Sequence, residues 1–182
     1  MKIAAALALI AAPLAALADP VHLPAGDGVQ AVVTPMTTAG GNRVFVVEEI
    51  IPDSAPDGDV VAMFWLWPNM TEWPEIEPTG PGQFTARAGC DTCGRTGWRL
   101  DYKAARRGDG WVLAGWTQTR NDRTSAQVTV CDVNLLTGRV VISHSAVEDA
   151  AEQITTAATA ARAIPLSLVT ADYMVPECAA PP

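Results

Sequence analysis

Trp98, Leu100 and Tyr102 alternate with Arg99, Asp101 and Lys103, the two-residue period of a strand with one buried and one wet face. The chain turns through Arg106 to Gly110 and alternation resumes over 111–118, so the two runs predict a hairpin. A second hairpin is predicted from 127–133 and 139–143, which flank Asn134-Leu135-Leu136-Thr137-Gly138, a turn whose closing glycine suits a positive φ. A third lies earlier: 29–38 and 43–51 are rich in β-branched residues, flank Ala39-Gly40-Gly41-Asn42, and stop at Pro52. Residues 59–67 add a strand whose unbroken apolar character predicts burial on both faces, ending at Pro68.

Two stretches depart from this meander. Residues 68–97 carry Pro68, Pro74, Pro78 and Pro81 among several glycines, which denies a long helix, and only 83–88 reads there as a short strand. A loop of such length inside a compact domain tends to carry function. In 146–163 the period changes. Ser145 followed by Glu148 reads as a capping box, and Val147, Ala150, Ala151, Ile154, Ala157, Ala158 and Ala161 fall at three- and four-residue spacing, predicting one helix that Pro165 ends. Residues 166–170 predict a last short strand and 176–182 a proline-rich tail. The expected fold is mainly β: one antiparallel sandwich or small barrel of about 7–9 strands, with a single C-terminal helix at 146–163 packed on it.

The N-terminus decides the compartment. Lys2 precedes an apolar run from Ile3 to Leu17, and Ala16-Leu17-Ala18 stands before Asp19-Pro20, the layout of a secretory signal cleaved after Ala18. That run is too short to span a bilayer and no later run approaches the needed length, so residues 19–182 are expected as one exported β-rich domain without a membrane span, periplasmic or secreted. In an oxidising compartment Cys90, Cys93, Cys131 and Cys178 are expected as two disulfides, Cys90 with Cys93 and Cys131 with Cys178, the second pinning the tail to the body. A formal charge of −8 argues against nucleic acid as a partner; it steers cationic partners, or simply keeps an exported protein soluble.

Candidate chemistry is sparse. Besides a structural bridge, Cys90-Asp91-Thr92-Cys93 admits haem attachment, thiol–disulfide exchange or zinc; but Gly94 stands where haem needs histidine, Gly94-Arg95-Thr96-Gly97 is poor helix material for a reactive thiol, and zinc lacks a second close pair. With His22 and His144 the only histidines and no Gly-x-Ser-x-Gly elbow, a hydrolase triad has little to build on. Acids gather at Asp53, Asp57 and Asp59, which fit a turn and not a twelve-residue calcium loop, and at Glu72, Glu75 and Glu77, which fit either a solvated loop or a glycosidase pair. Neither metal nor cofactor is expected. Trp65, Trp67, Trp98 and Trp111 read as core; Trp73, between Glu72 and Pro74, reads as an anchor for a partner.

The expectation that joins these readings is a non-catalytic periplasmic binding or inhibitory module. It would recognise an envelope protein, peptide or glycan through the 68–97 region, with Trp73, Glu72, Glu75 and Glu77 as its binding residues and a cationic partner favoured by charge. Two alternatives stand beside it. One is an envelope enzyme using the Cys90/Cys93 pair in thiol–disulfide chemistry or loop carboxylates in hydrolysis; the other is a small-molecule carrier with a barrel cavity.

Overall fold

The computed structural model describes residues 15–16, 19–39, 41, 43–50, 59–65, 75–108, 110–146, 153–170 and 173–179. Among these, the strands are β1 (Ala15–Ala16), β2 (Val21–Gly26), β3 (Val29–Thr37), β4 (Arg43–Ile50), β5 (Asp59–Trp65), β6 (Glu75–Gly80), β7 (Gln83–Cys90), β8 (Thr96–Arg107), β9 (Gly110–Asp122), β10 (Gln127–Asn134), β11 (Arg139–Ala146), β12 (Gln153–Ala158) and β13 (Ile164–Pro165). They form two antiparallel sheets. The first runs β1-β3-β4-β5 with β2 also on β3; the second is a meander, β12-β11-β10-β9-β8-β7-β6, with β13 on β9. The mainly β expectation holds, and the three predicted hairpins are β3–β4, β8–β9 and β10–β11. Among the described residues no helix is long and apolar enough to cross a membrane.

Eleven of these strands have six or more residues, above the expected number, because β2 adds a strand ahead of the predicted meander and two stretches are more regular than their sequence suggests. Within 68–97, residues 75–90 are the β6–β7 hairpin, not a loop with one short strand. Pro78 is tolerated there because β6 is the sheet's edge strand, where a missing N–H need cost no interior ladder bond. Gly82 turns the hairpin at φ 61° and ties it to both sheets: its N–H donates to the Pro24 carbonyl at 2.6 Å and its carbonyl accepts from Arg106 N at 2.8 Å. Residues 68–74 lie outside the described part of the chain.

The predicted helix at 146–163 is the second correction. Residues 153–158 are β12, paired with β11 from Arg139↔Ala158 to His144↔Gln153, and Ser145 sits inside β11 opposite Val128 instead of capping anything. Alanine spacing permits either state, whereas Ile154-Thr155-Thr156 is β-branched and β11 offers it a complete set of backbone partners. Residues 147–152 are not among those described. The predicted strand at 166–170 is a single 3-10 turn, Leu166–Leu168, and the one α-helix among the described residues is α1 (Pro176–Ala179), in the tail.

Register explains the core. In antiparallel pairs, residues directly opposite share a face, so the second sheet presents inward rungs across five strands, β7 to β11. Ala86, Tyr102, Trp116, Val133 and Val140 make one such rung and all are buried. Leu23, Ala31, Val33, Phe45 and Val47 of the first sheet join the same cluster, so the sheets face each other across one apolar layer. Glu49 of β4 clamps the layers. Its carboxylate accepts from Arg106 Nε at 2.7 Å and Nη2 at 3.3 Å, and from Trp111 Nε1 at 2.9 Å. The outer face of the second sheet is polar, with Arg87, Asp101, Thr117 and Asp132 on one rung.

Candidate binding cleft

The residues singled out by sequence do not assemble into one site among those described. Trp73 and Glu72 lie outside the described residues. Glu75 and Glu77 are on β6, where both meet the Arg87 guanidinium, at 3.3 Å and 2.6 Å, while Asp101 stands 3.7 Å from its Nε. These acids therefore form an ion-pair ladder on the wet face of the sheet. His22 is exposed on β2, and His144 Nδ1 lies 3.1 Å from Thr129 Oγ1 across β10–β11. The cysteines stand in two pairs at disulfide distance, Cys90 with Cys93 and Cys131 with Cys178, with Cα separations of 5.5 Å and 5.7 Å. This is the expected pairing, and the second pair ties the tail to β10.

Two rungs beyond Tyr102–Trp116, the inner face of the second sheet passes from core to surface. Leu100 stands opposite Gln118, and Trp98 opposite Arg120; Leu100 and Gln118 are buried, Trp98 and Arg120 half-buried. Here the chain leaves a cleft of about 510 Å³. Its floor is Trp116, Leu100 and Trp98; one rim is the Cys93 to Thr96 turn, and the other is Tyr173 and Met174, brought over from the tail. Trp116 has no exposed surface and is wedged edge-on between Tyr102, 4.9 Å away at 78°, and Tyr173, 6.0 Å away at 75°. Its indole N–H is buried with no acceptor among the described residues, which costs about 1–3 kcal/mol and sets this spot apart from the apolar layer behind it.

The tail that supplies Tyr173 and Met174 is held at three points. Cys178 is bridged to Cys131 on β10. Arg162 grips Glu177 of α1 through two hydrogen bonds, Nη1 to Oε1 at 3.0 Å and Nη2 to Oε2 at 2.8 Å, and interacts electrostatically with Tyr173. Those bonds hold the Glu177 carboxyl well below the usual range, at about 2. The third point is Gln118. With its amide nitrogen donating to the Cys178 carbonyl at 3.1 Å, its oxygen accepts from Arg120 Nε at 3.0 Å and Nη2 at 3.1 Å, the orientation that satisfies both ends of the amide. Among the described residues Arg120 is the one charged side chain lining the cleft, and it is a cation in a chain of net charge −8.

Sequence reasoning passed over Arg120, Gln118, Tyr173 and Met174. A partial signal existed: the alternation that puts Trp98, Leu100 and Tyr102 on one face also puts Trp116, Gln118 and Arg120 on theirs. Nothing local announces that Tyr173 closes over them. No family, curated protein or solved structure matches this chain.

Proposed function

We propose that the protein is an exported, non-catalytic binding module that holds its ligand in the cleft between β8–β9 and the tail segment carrying Tyr173 and Met174. The observation that carries this reading is the cleft itself: concave, walled by aromatic and aliphatic side chains, with few convergent polar groups, and about 510 Å³ in volume, in the size range of small-ligand sites. One rim, from Cys93 to Thr96, belongs to the 68–97 region expected to face a partner. A cleft of this size accommodates either a small molecule or a side chain or sugar of an envelope protein, peptide or glycan. Two cysteine pairs at disulfide distance support an oxidising, periplasmic or extracellular setting.

The test uses the full-length oxidised protein, labelled so that indole N–H signals are resolved. Neutral, cationic and anionic aromatic fragments are titrated in turn. Binding predicts concentration-dependent shifts of the Trp98 and Trp116 signals by at least some fragments, with dissociation constants of about 1 mM or below. The Trp98→Ala variant should keep its fold and lose the response. If no fragment of any charge moves either signal, the cleft is not a binding site.

A further inference from the structure

We infer that the ligand of this cleft is an organic anion, a flat apolar body ending in a carboxylate or similar oxyanion, and that Arg120 receives that end. This rests on the binding reading above and narrows it to a chemical class. The first argument is the company arginines keep here. Arg87, Arg95, Arg99, Arg106 and Arg162 each meet a carboxylate. Arg107, Arg123 and Arg139 meet none among the described residues but are exposed, where water satisfies them, and half-buried Arg43 has an interaction partner of its own. Arg120 is half-buried and has no carboxylate within ion-pair distance among the described residues. A cation removed from water in an acid-rich protein is ordinarily neutralised by one of its own acids.

The second argument is geometric. Gln118 Oε1 takes the side edge of the guanidinium, Nε and Nη2, and Gln118 is itself fixed by the Cys178 carbonyl. The end edge, formed by Nη1 and the second N–H of Nη2, has no partner among the described residues. Two parallel donors in a fixed plane are the complement of a carboxylate, which accepts both at once. Trp98, opposite Arg120 on β8, and Tyr173, across the cleft, offer ring faces and edges to the apolar part of the same ligand. A neutral aromatic would use the walls alone and a cation would meet Arg120 as a like charge, so the charge of the ligand is what the arrangement selects.

The experiment is a matched series on the full-length oxidised protein: naphthylacetate, naphthylacetamide, naphthylethylamine and naphthyl phosphate, each followed by the indole signals of Trp98 and Trp116. The acetate should bind about tenfold or more tighter than the amide, with the amine weakest. Arg120→Gln should bring acid and amide to equal affinity, and Arg120→Lys should recover only part of the preference, since it restores charge without the fork. Comparison of acetate with phosphate then tells which oxyanion fits. If the amide or amine binds as well as the acid, the anionic class is overturned while the cleft reading stands; if nothing binds, both fall. The acid-to-amide ratio of the wild-type protein decides the ligand class on its own, and Arg120→Lys, which keeps the charge, decides the part played by Arg120 if Arg120→Gln does not fold.

Discussion

Gly138 closes the β10–β11 turn at φ 75°, and a Cβ built there would collide with the Thr159 carbonyl oxygen. Gly138→Ala therefore combines a left-handed backbone with a steric clash against backbone, and should lower stability by about 2–3 kcal/mol, read as a fall in melting temperature of several degrees. The need for glycine at this position was legible from Asn134-Leu135-Leu136-Thr137-Gly138 alone, because turn chemistry is local. The role of Arg120 was not. Its partners, Gln118 and through it Cys178, are assembled by strand register and tail placement, and no short window of sequence contains them. The Cys90–Cys93 pair stands between these cases. Its spacing was visible, and the structure adds that Cys90 is fully buried while Cys93 borders the cleft, so free-thiol titration of the purified protein should find all four sulfurs blocked, with an easily reduced 90–93 pair the result that would revive thiol chemistry.

At the scale of elements, the tail is the part whose energetics can be separated. Removing both Cys131 and Cys178 frees the chain that carries Tyr173 and Met174, and should cost about 2–4 kcal/mol, detected as a lower melting temperature together with lost fragment binding. The Arg162–Glu177 pair gives the same tail an acid sensitivity. Because the Glu177 carboxyl is held at about 2 against an ordinary 4.5, its stabilisation is fully present above pH 4.5 and is lost as pH falls from there toward 2. Both side chains are partly solvated, so the effect is about 1 kcal/mol, and Glu177→Gln should flatten the acid limb of the stability profile by that amount. Elements were also where periodicity misled. An alanine-rich run with three- and four-residue spacing has no strong preference of its own, and β12 forms because β11 presents an open edge to it, a fact about another segment. The β8–β9 hairpin was readable because alternation and turn both lie within the two strands.

For the molecule as a whole, two sheets share one apolar layer, and Glu49 is the polar tie between them. Glu49→Ala leaves the Arg106 guanidinium and the Trp111 N–H partly buried without their acceptor, and should destabilise by about 3 kcal/mol or more; Glu49→Gln, which keeps one acceptor oxygen, should cost less. The sandwich class was within reach of sequence because it follows from many short β runs. The cleft was not, because it lies where the second sheet, a cross-linked tail and a turn happen to meet.

The bridge from Cys131 to Cys178 also makes the far wall of the cleft contingent on redox state. Without that bridge, the segment carrying Tyr173 and Met174 is held only by the Arg162–Glu177 pair and the Gln118 amide. On the proposed reading, reducing the bridge should weaken fragment binding to the cleft, which the same indole titration repeated in reductant would measure.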